Sequence, residues 1–564
     1  MTPPSEPAAT PAPDTPEGQH AQCRFRARYR WLDERLRFDP ARLPPQACPR
    51  FDAWLATLSP RGLTFVFPEA FLNNPASMFG HSLLRVDVAH EGAPEPELLG
   101  FAVSFAGATG TDDGLLYAVK GLLGFYPGYF NLRPYYETVA EYGDWESRDI
   151  WEYRLALTPA EVERLLEHVW ELEGVAFSYY YFDENCTWQL LGLLQVARPE
   201  ARFAERRRPW VIPADALRAL AEEPGLVAEV SWRPSSATRL RFAAGSLGAS
   251  EQELARSLAA GAATPTDGRL AALPPSVRAD VLALAYDRLR YAYLRGEIAR
   301  DESAPRARAL LLARSAVVLP EPEEPAAPPR PAVAPENGHH SSRASLGGGV
   351  DRGGGYLELG FRPALQDLLD PEGGYTAGAQ VQMASVALRV YPDAARVRLE
   401  DLVLVDVESL PAWDRMLRPI AWRMDLGVRS RALPDAGDRR ELDPRDVLRA
   451  SAGGGLAFDP LPHLRLYGFA EAVAEAGFHL EPAYALAPGA TLGVTLGEPD
   501  DRMKLHAYAR WRSFVVGDDT TTLSLGLEQR FAVGRDTAIV LRGAREQAYG
   551  RGWIEGQALL ELFF

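Results

Sequence analysis

Beyond Ser345 the chain alternates apolar and polar residues with a period of two, and this pattern restricts the possible folds more than any other feature. From 422 to 428 every second residue is apolar and the residues between them are mostly charged, and 503 to 512 repeats the pattern. A period of two is typical of a strand with one apolar face. Many such segments are separated by turn sequences, as at 517–519. The pattern predicts an antiparallel β-barrel over residues 341–564.

The polar faces of these strands distinguish a membrane barrel from a soluble one. Strands of roughly 9–11 residues cross a bilayer with apolar side chains towards lipid and polar side chains towards the lumen. A soluble antiparallel barrel or sandwich, the alternative, would bury its apolar face. Arg, Lys, Asp and His alternate densely enough to line a wet lumen, which favours a barrel anchored in the outer membrane. The last strand ends in Phe and resembles the assembly signal of Gram-negative outer-membrane barrels, with one apolar face made of Ile554, Gly556, Ala558, Leu560, Leu562 and Phe564.

The length of 564 residues indicates several domains, and the net charge of −16 argues against a nucleic-acid-binding surface. The N-terminal stretch is rich in Pro, Ala and acids, which predicts disorder and shows no signal peptide. No apolar run approaches the ~18 residues of a membrane helix.

The sequence predicts six segments: a disordered segment (1–20), a helical segment with a disulfide (21–62), a thiol domain (63–199), a helical spacer (200–319), a Pro-rich linker (320–340) and the barrel (341–564).

Cys186 lies at the predicted start of a helix. Behind it, leucines at helical spacing run as far as Val196, and Asp183 or Asn185 can cap the front. A thiol in the first turn of a helix faces unpaired N–H groups and the positive end of the helix dipole, and both favour the thiolate. The sequence therefore predicts Cys186 as a nucleophile.

His81 is the predicted base for this nucleophile. It follows Gly80 and opens an apolar alternation, so we expect it at the start of a strand. In a thiol enzyme such an imidazole accepts the proton of the attacking sulfur. The alternative is an inert, buried Cys186 beside a His that is only hydrogen-bonded, since Cys is among the residues most often buried.

Three stretches carry a resemblance to a known family. They are 73–85 (NNPASMFGHSLLR), 148–153 (RDIWEY) and 181–186 (YFDENC), and together they resemble the Lnb-type N-terminal periplasmic domain over about 63–199. The order of His before Cys is similar to circularly permuted NlpC-like and lecithin:retinol acyltransferase-like members of the papain-type thiol fold. The resemblance implies an α+β domain that forms an acyl thioester. It also implies transfer of a fatty acyl chain to the amino group of a lipoprotein N-terminal Cys.

A third catalytic group is expected on the strand after His81. Papain-type enzymes usually orient the His through a polar group there, and Ser104 is the only polar side chain of the predicted strand. Asn would be expected at this position in most relatives, and Ser is a weaker orienting group.

Four further residues are candidates for supporting roles. Asn185 would support the helix start, and Asn74 and Ser77 would contact the oxyanion or the His. Alternatively, Asn74 and Ser77 cap the turn that precedes the His, which is the favoured interpretation. Arg148 would clamp a substrate phosphate or carboxylate. A salt bridge from Arg148 to its neighbour Asp149 or to Glu152 is the favoured alternative.

The cysteine count fits a thiol enzyme of an oxidising compartment. Cys23 and Cys48 form a possible disulfide, which would contribute roughly 3 kcal/mol by restricting the unfolded chain. Cys186 would then be the odd free thiol. In the cytosol both Cys23 and Cys48 would instead be reduced.

The adjacent His339 and His340 lack a third ligand nearby and are expected to be solvated, so we predict no metal and no cofactor.

The function predicted from these features is that of a cell-envelope cysteine acyltransferase or hydrolase. Its partners would be a phospholipid or lipoprotein acyl substrate and outer-membrane lipid, with no nucleic acid. Two alternatives stay open: a peptidoglycan-directed, NlpC-like cysteine peptidase, and a non-catalytic, barrel-anchored binding or assembly protein.

Overall fold

The computed structural model describes residues 18–73, 77–89, 95–108, 120–121, 123–203, 210–319, 327–434, 441–498 and 501–564. Contacts divide the chain into two compact units. The first comprises Met1–Glu69 and Gly80–Ser235, and the second comprises Ala70–Phe79 and Ser236–Phe564. Most of the predicted disordered segment, residues 1–17, lies outside the described residues.

A sheet of seven antiparallel strands, counted over the described residues, organises the first unit. The strands are β1 (Pro60–Pro68), β2 (Leu83–Val88), β3 (Phe101–Gly107), β4 (Tyr126–Pro134), β5 (Ile150–Leu155), β6 (Phe177–Tyr179) and β7 (Val227–Arg233). Their order across the sheet is β6-β4-β3-β2-β1-β5-β7. The apolar runs of β1, β2 and β3 are mostly buried, as expected for strands in the middle of a covered sheet.

The helices of the first unit pack on this sheet and on each other. They are α1 (Ala21–Arg24), α2 (Arg26–Leu36), α3 (Pro49–Leu58), α4 (Tyr135–Val139), α5 (Pro159–Glu171), α6 (Cys186–Ala197) and α7 (Pro213–Ala221). A one-turn π-helix, Ala140–Trp145, follows α4 directly. The helix α6 lies against β2 and β3, so the sheet positions the start of that helix.

The sheet extends further along the chain than the sequence indicated. β7 lies within the range 200–319, which was expected to be helical, and it pairs with β5 at the edge of the sheet. Its residues are mixed in polarity and mostly half-buried or exposed, because an edge strand covers little of the core. The first unit therefore includes α7 and β7 in addition to residues 63–199.

A buried ion pair joins two strands of the first unit. Arg85 of β2 donates to Glu152 of β5 at 2.8 Å, and the Tyr135 hydroxyl donates to the other oxygen of Glu152 at 2.7 Å. Burial by itself would raise the pKa of Glu152, but Arg85 and Tyr135 lower it below its ordinary value. Because both charges are paired and hydrogen-bonded, the pair is compatible with the core, and it fixes the strand that follows His81.

The second unit contains a closed antiparallel barrel. Its strands are β8 (Arg343–Asp351), β9 (Gly354–Arg362), β10 (Ala364–Gln366), β11 (Ala379–Tyr391), β12 (Arg396–Ser409), β13 (Ala421–Pro434), β14 (Leu442–Leu461), β15 (Leu464–Ala476), β16 (Tyr484–Gly497), β17 (Met503–Phe514), β18 (Thr520–Gly534), β19 (Thr537–Ala548) and β20 (Arg551–Phe563). From β11 to β20 each strand pairs with the next, and β20 then pairs with β8 and β8 with β9. The pairing of β9 with β11 closes a ring of twelve strands among the described residues, with the short β10 beside β11.

The barrel turns its apolar faces outward. All six positions predicted for one face of the last strand, from 554 to 564 in steps of two, are exposed, whereas Glu561 between them is buried. Arg423 and Asp425 of β13 are likewise buried on the inner side. A soluble barrel would show the opposite arrangement, so that alternative is wrong. The outward apolar surface and the charged interior are those of a membrane barrel.

The segment after β9 folds into the barrel. Leu369 packs against Val540 and Leu559, which point inward from β19 and β20. Arg362 anchors the segment through Asp367 at 3.2 Å and Asp370 at 2.6 Å. The lumen is therefore partly filled by the protein's own chain.

His339 is buried, and the expectation that it is solvated is wrong. Its ring lies 4.4 Å from that of Tyr375 and 4.7 Å from that of Phe563. Its neighbour His340 contacts Asp536 at 2.9 Å. The packing of the segment inside the barrel, which the local sequence does not encode, covers this imidazole.

Helices also belong to the second unit, and they are α8 (Ser236–Gly245), α9 (Ala249–Ala260), α10 (Gly268–Ala271), α11 (Pro275–Leu294) and α12 (Arg300–Ser315). Their leucines and alanines form one core, and Met416 from the connection between β12 and β13 packs into it. Among the described residues, no helix has both the length and the apolar character that a membrane crossing requires.

Candidate active site

Asn185 caps the helix that carries the thiol. Its side-chain oxygen accepts hydrogen bonds from the N–H groups of Thr187 and Trp188, at 3.1 and 3.2 Å. Its amide nitrogen donates to the carbonyls of Tyr181 and Val211, at 3.2 and 2.7 Å. Of the two caps that the sequence allowed, Asn185 therefore fills the role, and it also ties the helix start to two other segments.

Cys186 is the first residue of α6, and its side chain is buried. Burial alone raises the pKa of a thiol, but the charge of His81 and a hydrogen bond from its side chain outweigh that effect. A hydrogen bond from the backbone of Ser82 and another from the side chain of Thr187 also favour the thiolate. Together they lower the pKa of Cys186 to about 6, which makes the thiolate the main form at neutral pH.

Two hydroxyls surround the sulfur. The Ser82 hydroxyl lies 3.9 Å from Sγ and 2.6 Å from the Thr187 hydroxyl, which in turn lies 3.8 Å from Sγ. Such weak donors stabilise a thiolate without protonating it. Neither residue was predicted from the sequence, although each directly follows one member of the predicted pair.

A glycine turn directs His81 towards the site. Gly80 has φ +89°, and a Cβ atom there would lie 2.7 Å from the ring of Phe67. Only glycine avoids both the strain and the clash. The turn brings the N–H of His81 to the Pro68 carbonyl at 3.3 Å and its ring to within 5.6 Å of Tyr142.

Ser104 pairs with the side-chain amide of Asn131, which was not predicted from the sequence. It lies on β3, opposite Asn131 of β4, and its hydroxyl donates to Asn131 Oδ1 at 2.6 Å. The role of Ser104 as the group that orients His81 stays a prediction. Asn131 could be identified as the partner of Ser104 only from the register of β3 and β4.

Arg148 is held by the protein itself. It donates to the backbone carbonyls of Glu69 and Pro68, at 2.5 and 2.9 Å, and pairs with Glu146 at 2.9 Å. The expected salt-bridge partners, Asp149 or Glu152, were wrong, because the turn before β5 points the guanidinium back to the end of β1. Its buried position is that of a structural residue.

Ser77 and Asn74 belong to the segment between Glu69 and Gly80. The carbonyl of Ser77 accepts a hydrogen bond from the N–H of Phe71 at 2.9 Å, which is a turn contact. Asn74 lies outside the described residues. The oxyanion role of both residues stays a prediction.

Glu69 is a titratable group that was not predicted from the sequence. Desolvation and the nearby Asp149 raise the pKa of its carboxyl, and the Trp151 indole and Arg148 lower it, with a result of about 7. The indole of Trp151 donates to its Oε1 at 3.0 Å. The carboxyl therefore titrates near neutral pH.

Cys23 and Cys48 form a disulfide with Cα atoms 5.3 Å apart. The bridge packs with Phe51 and Trp170 and so fixes the N-terminal helices on α5. Among the described residues, Cys186 is the free cysteine, and no group of His, Cys, Asp and Glu side chains could hold a metal ion.

Three family models match parts of the chain. Residues 50–223 match the Lnb N-terminal periplasmic domain, the range that contains His81 and Cys186. Residues 230–326 and 332–563 match two domains of unknown function, DUF7842 and DUF7840. No curated protein matches the chain.

Several solved structures are similar to part of the chain. LpxR from Salmonella typhimurium shares 14% sequence identity over 40% of this chain and 100% of that chain, with a TM-score of 0.24. A loop-deletion mutant of OmpT, an outer membrane protein of Vibrio cholerae, shares 8% sequence identity over 40% of this chain and 98% of that chain, with a TM-score of 0.22. An anion-selective porin from Comamonas acidovorans shares 8% sequence identity over 40% of this chain and 99% of that chain, with a TM-score of 0.19. The strand pairing, and not these likenesses, defines the barrel.

The barrel and the family match together define the class of protein. The ring of strands has an apolar outer surface and a charged lumen, as an outer-membrane barrel does. The N-terminal part matches a periplasmic domain. The protein is thus an outer-membrane β-barrel with a periplasmic N-terminal domain.

Proposed function

We propose that the first unit is a cysteine-dependent acyltransferase or hydrolase that acts on lipid or lipoprotein acyl groups. The observation that carries the proposal is the geometry at the start of α6, where the buried Cys186 is the first residue of a capped helix and the Ser82 and Thr187 hydroxyls lie beside its sulfur. The His81 side chain and these donors lower the pKa of the thiol to about 6 although it is buried. An inert core cysteine would show the opposite shift, because burial alone disfavours the thiolate. The resemblance to the Lnb-type domain and to permuted NlpC-like thiol enzymes agrees with this assignment.

The chemistry would proceed through a thioester. The Cys186 thiolate attacks the ester carbonyl carbon and forms a C–S bond, and the carbonyl electron pair moves to oxygen. When the tetrahedral intermediate collapses, the C–O bond breaks and the protonated His81 donates its proton to the leaving alkoxide. An amine or water then attacks the thioester, His81 accepts the proton of that nucleophile, and the thiolate leaves.

The start of α6 offers a donor for the oxyanion. Asn185 already occupies the N–H groups of Thr187 and Trp188, which leaves the N–H of Cys186 as the donor beside the reacting carbon. The positive end of the helix dipole favours the same negative charge. Cys186 is only 3% exposed, so an acyl group reaches the sulfur when the covering side chains move aside.

The location in the outer membrane supports an acyl substrate. A periplasmic thiol on a chain that is anchored in a bilayer meets phospholipids and lipoproteins at high local concentration. Proximity to the bilayer favours lipid acyl groups over peptidoglycan peptides, which the resemblance to NlpC-like enzymes would suggest.

The experiment is to trap the acyl-enzyme. Full-length protein in detergent micelles is incubated with a phospholipid labelled in its acyl chains, and the intact protein mass and label are followed. We expect an acyl adduct on Cys186 that hydroxylamine removes, and no adduct on Cys186→Ala or His81→Gln. His168→Gln is the matched control, because His168 lies on α5 and contacts Glu171 instead of the thiol.

Two outcomes would contradict the proposal. If wild-type protein gives no adduct and releases no fatty acid from phospholipid or lipoprotein, the acyl chemistry is wrong. If the same protein cleaves peptidoglycan peptides in a Cys186-dependent manner, the peptidase is the correct alternative. Activity that survives in Cys186→Ala would rule out the thiol mechanism altogether.

A further inference from the structure

Most arginines inside the barrel have an acidic partner. Arg389 pairs with Glu358 at 2.9 Å, and Arg429 pairs with Asp425 at 2.7 Å. Arg449 pairs with Glu475 at 2.8 Å. A charged lumen is balanced in this way because a buried guanidinium without a partner is costly.

Arg510 and Arg512 of β17 depart from this rule. They are consecutive inward-facing residues of one strand, and Arg512 is only 8% exposed. The Nε atoms of both are buried and lack a hydrogen-bond partner. Within the described part of the chain neither guanidinium forms an ion pair, and Arg510 only lies over the ring of Tyr508, 5.1 Å from its centre.

Both guanidinium groups line open space. One cavity of about 340 Å³ and a second of about 440 Å³ lie inside the barrel. The two cavities share Arg510 and Arg512, together with Asp401, Arg449 and Tyr508. The arginine pair therefore stands where the two cavities adjoin.

Several acids around the pair already have partners, among them Glu471, which pairs with Arg423 at 3.3 Å. Glu475 accepts from Arg431 and Arg449, and Asp401 accepts from Arg429 at 3.0 Å. Glu546, which also lines the second cavity, accepts a hydrogen bond from the Ser524 hydroxyl. Two positive charges with free donors thus face a space in which these carboxylates are engaged elsewhere.

We propose that Arg510 and Arg512 form an anion-binding site in the lumen, for the phosphate or carboxylate group of a small solute. The planar fork of a guanidinium matches both groups, and two forks that start two residues apart on a strand can hold one anion between them. The space beside them accepts the rest of a small molecule. This site is independent of the thiol and of the proposed acyl chemistry.

The experiment is isothermal titration of the full-length protein in detergent at low ionic strength. Inorganic phosphate and acetate are the two probes, and the one that binds more tightly identifies the anionic group. We expect saturable binding of at least one of them. Arg512→Gln and Arg510→Gln should each weaken it by at least about tenfold.

Arg398→Gln is the matched control. Arg398 also lines the second cavity, but it pairs with Glu400 and Asp351. This variant loses one positive charge from the same lumen and should keep the affinity within about threefold. Gel mobility with and without heating checks that every variant forms the barrel. No saturable binding of either probe to wild-type protein, or equal weakening in all three variants, would overturn the proposal.

Crystals grown with selenate provide a second measurement that does not depend on variants. An anomalous peak between Arg510 and Arg512 supports the site. Selenate bound elsewhere in the lumen, with none at this pair, contradicts it.

Discussion

At the scale of single residues, the thiolate of Cys186 results from two opposed effects. Burial removes water from the sulfur and favours the neutral thiol, whereas the adjacent imidazole and the donors from Ser82 and Thr187 favour the anion. The effects that favour the anion outweigh burial, and the pKa of the Cys186 thiol falls to about 6. The proposed acyl chemistry depends on this state, because the thiolate is present and little water stabilises it.

The pH dependence of alkylation tests this balance. Reactivity with a small reagent such as methyl methanethiosulfonate should rise with pH, because the thiolate reacts, and should level off above about pH 6. In His81→Gln the midpoint should move upward towards the ordinary thiol value of 9.0. His168→Gln should leave the midpoint unchanged. A wild-type midpoint near that of a free thiol would show that Cys186 is an ordinary core cysteine.

Glu69 provides a second test, through stability. Its pKa in the folded protein is about 7, above the ordinary 4.5. A raised folded pKa stabilises the protein below the unfolded value, and this contribution is lost as pH rises through the folded value. Glu69→Gln mimics the protonated carboxyl, so it should melt at about the wild-type temperature near pH 5 and at a higher temperature near pH 8.

The melting of the first unit, followed by tryptophan fluorescence, measures this difference. Glu146→Gln is the comparison, since it removes a neighbouring carboxylate that pairs with Arg148 and should destabilise at both pH values. A Glu69→Gln curve that runs parallel to wild type at all pH values would mean that Glu69 is ionised in the fold.

Local sequence predicts residues whose environment is local. The position of Cys186 at a helix start and that of His81 before a strand could be predicted, because a helix start and a strand start each leave a pattern within a few residues. The partners of Ser104 and Arg148 could not, because strand register and a turn decide them. Asn131 and Glu69 contact Ser104 and Trp151, which are far from them in the chain, and the pairing of β3 with β4 and of β1 with β5 brings them together.

At the scale of elements, the start of α6 depends on one side chain. Asn185 satisfies two N–H groups of the helix and two carbonyls of other segments. Asn185→Ala should lower the free energy of unfolding of the first unit by about 2–3 kcal/mol, since it removes a helix cap and also the amide that donates to two carbonyls of other segments. Urea unfolding of the full-length protein, followed by tryptophan fluorescence, measures the change.

Thr158→Ala is the control for this prediction. Thr158 caps α5 in an exposed capping box with Glu161, so its loss should cost only about 1 kcal/mol. A cost for Asn185→Ala no greater than that would show that its bonds to Tyr181 and Val211 contribute nothing.

Elements differ in how well their sequence identifies them. The helix at Cys186 and the strand at β2 have strong apolar patterns and were predicted. β7 was not, because an edge strand of mixed polarity has no such pattern and is defined by its neighbour β5. The cap is an intermediate case: the sequence offered Asp183 or Asn185, and geometry selected Asn185.

At the scale of the whole molecule, the alternation of residues decides which side of the barrel faces lipid. The period of two could be read directly, and the outward position of the face from 554 to 564 follows from it. The closure of β9 on β11 and the segment that enters the lumen could not be read, because they depend on contacts between distant strands. The same contacts determine which lumen arginines are left without an acid.

The outward face yields a prediction that depends on depth. Leu541 points outward near the middle of β19, and Val533 points outward beside the turn at Gly534. An Arg at the bilayer midplane costs about 2–4 kcal/mol, whereas one near the interface costs about 0–1 kcal/mol. Leu541→Arg should therefore destabilise the barrel strongly and Val533→Arg hardly at all, as measured by urea-dependent folding into phospholipid vesicles. Leu541→Phe keeps the site apolar and should behave as wild type, whereas equal, small effects of the two arginines would mean that this surface does not face lipid.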